Sequence, residues 1–155
     1  MWVQVLAGLV FLAFVWMLFR FAMGLRYAKV AREEARGARE GQGVRVVAEI
    51  PSKQGDVQFF VDDGDAFSWP GGRIPKAEVA GARLLLRGGL VGTFERPGAA
   101  LPPVGPVDDD ESRERWDVVV YLRDGCFLTV PCGTLREGVS RDVASRVFEA
   151  LRGQA

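Results

Sequence analysis

Hydrophobic residues fill the first stretch of the chain almost without interruption. Between Trp2 and Phe19 only Gln4 is clearly polar. About 18 residues at about 1.5 Å each make about 27 Å of helix, close to the hydrocarbon thickness of a bilayer. The pattern therefore predicts a single transmembrane anchor over residues 1–24.

A cleaved signal peptide is the competing interpretation of this stretch. Such peptides begin with basic residues, carry a shorter apolar core and end at a small-residue cleavage site. Here no Lys or Arg precedes Arg20, and Phe19 to Met23 does not resemble a processing site. A buried core helix fits less well still, because core helices usually keep one polar face. We therefore favour a retained anchor.

Charged residues then appear with helical spacing, which predicts a helix from Leu25 to Glu40 followed by a linker, so that residues 25–43 form a basic juxtamembrane segment. Its basic residues step by three or four and form one stripe: Arg26, Lys29, Arg32, Arg36 and Arg39. The stripe is either solvated and paired with nearby glutamates, or laid on anionic lipid headgroups or an acidic partner subunit. The sequence leaves both open.

From Val44 onward the hydrophobic pattern has the period of β-strands. Turn residues divide this part of the chain into about seven short strands. Tight turns are predicted at 53–56 and 62–65. The proline-rich and acidic residues 96–114 predict a long, exposed, flexible loop. A last helix is predicted over 140–152, with Ser140 as its cap. Its apolar face must cover a sheet or the end of a barrel: Val143, Ala144, Val147, Phe148 and Leu151.

Composition narrows the chemistry available to the chain. Its 155 residues allow one compact domain after the anchor, over residues 44–155. The domain has 14 basic and 17 acidic side chains, which argues against a nucleic-acid partner. Histidine is absent, which excludes histidine relays and ligands. Cys126 and Cys132 are interpreted as small buried residues, and Asp117 as a paired structural carboxylate.

Two stretches carry a resemblance to a known family, namely Phe67 to Ala82, and Val118 to Pro131 with the helix after it. They resemble small bacterial pleckstrin-homology-like (PH-like) domains. The resemblance implies an α+β fold, a bent barrel of about seven strands capped by the C-terminal helix. Family members that bind phosphoinositides use a Lys and Arg cluster between the first two strands. This chain offers only Lys53 there, so headgroup recognition is not carried over.

These observations predict a non-enzymatic membrane protein without cofactor or metal. The leading hypothesis is an accessory or scaffold subunit of a larger membrane complex, for example a photosynthetic reaction centre or a respiratory complex. The alternative is a stand-alone anchored domain that senses a lipid or small ligand. The residues expected to contact the bilayer or partner subunits are Trp2, Phe11, Phe14, Trp16, Phe19 and Arg20, together with the basic stripe.

Flanking charge predicts the orientation. Six basic residues follow the apolar stretch within residues 1–40 and none precedes it. Because positive charge stays on the cytoplasmic side, we expect the N-terminus outside and the domain in the cytoplasm. The predicted location is the bacterial inner membrane, crossed once.

Overall fold

A computed structural model describes residues 2–52, 58–103, 114–134 and 138–153, and it confirms the α+β class. The chain forms two compact units, Met1–Ala38 and Arg39–Ala155. The predicted anchor and juxtamembrane segment are one uninterrupted helix, α1, from Trp2 to Glu40. The helix ends as predicted at Gly41–Gly43, where the N–H of Gln42 donates to the Arg39 carbonyl and Gly43 adopts a φ of +79°.

The first sheet is a simple antiparallel meander at the start of the second unit. Its strands follow chain order: β1 Arg45–Ile50, β2 Gln58–Asp62, β3 Ala66–Trp69 and β4 Gly72–Pro75. The predicted turn at 62–65 joins β2 to β3, and the Asp62 carboxylate accepts the N–H of Gly64 at 2.9 Å. The predicted turn at 53–56, with Lys53, lies outside the described residues.

A short 3-10 turn, Lys76–Glu78, leads into the second antiparallel sheet. Its strands are β5 Val79–Leu86, β6 Gly89–Glu95, β7 Arg115–Leu122 and β8 Phe127–Thr134, in the spatial order β6-β5-β7-β8. β5 therefore lies between β6 and β7, and seven of its residues, Val79 to Leu85, are buried. The strong apolar strand predicted at 116–123 is β7.

The predicted closed barrel is not found. The described strands number eight, and they pair within two four-stranded sheets rather than around a ring. In the described residues no ladder joins β1 to β8, the strand edges that approach each other. Both edges carry features that weaken pairing. β8 contains Pro131, which has no N–H to donate, and β1 is irregular between Val46 and Ala48.

The last helix, α2, runs from Ser140 to Arg152 and packs on both sheets, against β1 and against β5, β7 and β8. Its predicted apolar face is confirmed, because Ala144, Val147 and Leu151 are fully buried. The predicted cap is wrong. Val139 occupies the cap position and makes no side-chain capping bond, and Ser140 is the first helical residue and is fully buried.

The segment after β6 does not behave as a wholly exposed loop over its described part, residues 96–103. The N–H of Arg96 donates to the Ala80 carbonyl at 2.9 Å. The guanidinium of Arg83, on β5, donates to the Pro102 carbonyl, and the Leu101 side chain lies against Gly81. Apolar contacts and a buried donor therefore hold this segment on the sheet. The rest of the predicted loop, with its acidic run at 108–111, lies outside the described residues.

The two cysteines differ, so their shared assignment as buried residues is only half right. Cys132, on β8, is fully buried, and burial together with the charge of Asp117 raises the pKa of its thiol to about 12. Cys126 is exposed, because it belongs to the turn before β8, where its N–H donates to the Asp124 carboxylate at 2.9 Å. Both thiols are free.

An ion pair with little exposure connects β2 to the 3-10 turn. The Lys76 Nζ lies 2.6 Å from the Asp62 Oδ1, with side-chain exposures of 15% and 11%. A neighbouring pair, Arg73 with Asp63 at 2.8 Å, leaves the arginine 66% exposed. Screened surface pairs contribute little to stability, whereas loss of a shielded partner leaves the other charge poorly solvated. Replacing Lys76 by methionine should therefore lower the free energy of unfolding by about 1–3 kcal/mol.

The same substitution at Arg73 is the matched control, with an expected loss of at most about 1 kcal/mol. Burial alone would raise the pKa of Asp62, but the bonds from Lys76 and Gly64 and the charges of Lys76 and Arg45 lower it overall. A lowered pKa stabilises the fold above the unfolded value of about 3.9, and that contribution disappears as the pH falls through the folded value. The gap between wild type and Lys76→Met should narrow below about pH 4 in urea titrations. Equal losses for both variants at neutral pH would contradict this assignment.

Candidate membrane-anchoring and partner-binding surface

The aromatic residues predicted to contact lipid or partner subunits are all exposed on α1. Their exposed fractions run from 54% for Phe14 to 86% for Trp2, with Phe11, Trp16 and Phe19 between them. Successive residues of a helix turn by about 100°, which distributes these side chains around the whole circumference. A helix that is apolar all round suits a nonpolar solvent rather than the edge of a water-soluble core.

The length and composition of α1 agree with that environment. Its 39 residues span about 58 Å at about 1.5 Å per residue. Within it, one stretch meets the requirements for a membrane span, with a mean hydropathy of 2.0 over its most apolar window and none of that window buried. The remaining length extends well beyond a hydrocarbon core of about 30 Å.

The first basic side chain stands at the C-terminal end of the apolar run. The guanidinium carbon of Arg20 lies 5.0 Å from the centre of the Trp16 ring, one turn earlier on the helix. Such a pair combines a cation with the face of an indole, and both groups favour the interface between lipid and water. Arg20 thereby separates the apolar part of α1 from its charged part.

The predicted basic stripe occupies one side of α1. At about 100° per residue its five residues fall within an arc of about 140°, and Arg20 lies outside that arc. Lys29 forms an exposed pair with Glu33 at 3.8 Å, and Arg32 and Arg36 also have partners within the chain. The interpretation of self-paired, solvated charges is therefore supported for Lys29. Pairing of this kind does not exclude a further contact with lipid phosphates.

A second stripe lies beside the basic one, and the charge pattern of the sequence does not indicate it. Small residues recur at alternating steps of four and three along α1: Gly24, Ala28, Ala31, Ala35 and Ala38. They fall within an arc of about 80°. Small side chains let a second helix approach closely, with or without lipid around it. The spacing was readable in the sequence, since it needs only the helical period.

The second unit offers little that resembles a reactive centre within the part of the chain that is described. No cluster of three or more potential metal ligands occurs there. Asp117, nearly buried on β7, accepts a bond from the Arg115 Nε at 2.7 Å, which confirms its predicted paired role. The buried guanidinium of Arg83 donates to the Tyr121 hydroxyl at 3.0 Å. These charged groups support the sheet.

Together these features define an α+β protein with one helix long and apolar enough to cross a membrane. No protein-family model, curated protein or solved structure matches the chain. The resemblance to PH-like domains therefore stays a prediction.

Proposed function

We propose that this protein is a single-pass, non-enzymatic accessory or scaffold subunit of a larger membrane complex in the bacterial inner membrane. The N-terminus lies outside, and the domain that begins near Val44 lies in the cytoplasm. An energy-transducing assembly, photosynthetic or respiratory, is the version that we favour. The observation that carries the proposal is α1, a single exposed helix whose apolar half fits a bilayer and whose basic half follows it.

The lateral surface of α1 supports association with other membrane helices. Helices in lipid gain no hydrophobic energy from associating, so they rely on close packing and on interhelical contacts. The small-residue stripe, Gly24 to Ala38, permits a close approach just beyond the apolar half. Exposed rings such as Phe11 and Phe14 supply contact area within the bilayer. Both features suit a helix with neighbours.

The basic stripe supports the proposed orientation. Juxtamembrane Lys and Arg residues stay on the cytoplasmic side, and each contributes about 1 kcal/mol near an anionic leaflet. All six basic residues of the first 40 lie on the same flank of the apolar run. For the domain, two antiparallel sheets followed by an amphipathic helix are compatible with a PH-like relationship, in an open form.

Purification in a mild detergent tests the proposed function. The tagged full chain should retain at least one other membrane subunit in a fixed ratio. Replacing Ala31 and Ala35 by leucine should reduce that ratio, because bulk on the small-residue stripe prevents close packing. The matched control adds leucines on another face of α1, at Val30 and Gly37, and should retain the partner. A wild-type chain that purifies alone would contradict the proposal and favour a stand-alone sensor.

A further inference from the structure

A cavity opens at the end of the second sheet where β5 begins and where β6 and β7 end. Its volume is about 350 Å³. One wall is the turn after β6, residues 96–100, and the other is the turn after β7, residues 122–125, with Ala80 between them. The N–H of Arg96 bonds to the Ala80 carbonyl, and the N–H of Arg123 to the Glu78 carbonyl, each at 2.9 Å. Both walls are thus fixed to β5 or to the turn before it.

The two arginines are the charged residues that line this cavity, one on each wall. Most other lining residues are alanine or glycine, so few bulky side chains line the cavity. Gly98 and Gly125, with φ of +80° and +87°, shape the turns on the two sides. The backbone of these two turns therefore shapes a cavity that has one arginine on each wall.

Arg123 is available to bind a ligand, because no nearby acidic side chain among the described residues pairs with it. Its side chain is exposed, and no carboxylate within the described residues forms an ion pair with it. Arg96 is half-buried and has a partner within the chain, and its Nε is enclosed, which limits the movement of its side chain. The nearby acids do not line the cavity: Glu78 and Glu95 are exposed, and the Asp124 carboxylate accepts the N–H of Cys126. The cavity thus has a half-buried arginine on one wall and an exposed arginine on the other.

We propose that this cavity binds a phosphate group between Arg96 and Arg123. Guanidinium groups donate two parallel bonds to phosphate oxygens, and two of them can neutralise a dianion. The volume suits a phosphate ester of modest size, in the lower part of the usual range for ligand sites. The group belongs either to a soluble phosphate ester or to a lipid headgroup. This site is independent of the proposed role of α1.

The test uses the full chain in phosphatidylcholine nanodiscs. In one arm, calorimetry measures binding of inorganic phosphate and of glycerol 3-phosphate. In the other, native mass spectrometry measures retention of phosphatidic acid from discs that contain it. Arg123→Gln should weaken binding by about tenfold or more, as loss of a charged hydrogen-bonding partner does. Arg96→Gln should act in the same direction, and Arg141→Gln, an exposed arginine on α2, is the matched control.

An effect of Arg123→Gln in the first arm alone assigns a soluble ester, and an effect in the second alone assigns a lipid headgroup. Anionic lipid held only by the basic stripe would be retained equally by wild type and Arg123→Gln. That result, or the absence of saturable binding in both arms, would overturn the proposal. Neither outcome depends on whether a partner subunit purifies with the chain.

Discussion

Replacing both Val10 and Phe14 by arginine is expected to move most of the chain out of the membrane fraction. The two side chains lie one helical turn apart near the middle of the apolar run, and they are 64% and 54% exposed. An arginine at the centre of a membrane span costs about 2.5–3.5 kcal/mol on insertion scales. Two of them on one face would oppose insertion by about 5–7 kcal/mol. Fractionation followed by immunoblotting measures the effect.

The matched control places the same two arginines near the end of the span, at Met23 and Tyr27, again one turn apart. There the long side chains reach water at the interface, so membrane association should be kept. If both double variants stayed in the membrane equally, the apolar run would not be acting as the anchor. If both double variants left the membrane fraction, the added charge itself, rather than its depth in the bilayer, would explain the loss of membrane association.

Replacing Gly81 by alanine is expected to destabilise the second unit strongly. Gly81 lies in β5, where a Cβ atom would stand 2.5 Å from the Phe94 carbonyl oxygen and 3.1 Å from the Leu101 Cδ1. The carbonyl belongs to the paired strand β6 and cannot move without breaking the ladder. We expect the free energy of unfolding to fall by about 3 kcal/mol. Urea unfolding in detergent, followed by tryptophan fluorescence, measures it.

Gly92→Ala is the matched control, on the neighbouring strand β6. Its added Cβ would meet the Phe148 ring at 3.6 Å, an ordinary contact, and no left-handed backbone is required there. Because alanine restricts the unfolded chain, this variant should be unchanged or more stable by about 0.5 kcal/mol. An equal loss in the two variants would show that glycine is needed for general flexibility rather than for the close approach at Gly81.

Local signals predicted the elements of this fold well. The helix α2 begins and ends at the residues that the sequence indicated, and β3 also matches its predicted range. The turn at 62–65 was predictable because the carboxylates of Asp62 and Asp63 satisfy nearby N–H groups whatever the rest of the chain does. Period and turn chemistry depend on near neighbours, so one sequence is enough to read them.

The packing of elements that are distant in the sequence was less predictable than the elements themselves. Whether two sheets close into a barrel depends on pairing between the edge strands of different sheets, such as β1 and β8, and strand patterns do not show which edges meet. The packing of residues 96–103 depends on Gly81 leaving space for Leu101 and on Arg83 meeting the Pro102 carbonyl. Neither partner is close in sequence. Cys126 is exposed because β8 begins at Phe127, one residue later than the sequence predicted.

The candidate surfaces divide in the same way. The basic stripe and the small-residue stripe follow from helical spacing alone, so the sequence contains both. The cavity between Arg96 and Arg123 has no such signal, because two turns far apart in the chain form it after the sheet has assembled. Ion pairs such as Asp62 with Lys76 belong to this second group, since they connect side chains across elements.

Alkaline carbonate extraction of membranes that contain the full chain, with intact mass measured on the extracted pellet, tests the central claim most directly. If α1 is a retained anchor, the protein stays in the pellet and its mass includes residues 1–24. A protein released into the supernatant, or a mature chain that begins after residue 24, would contradict the account.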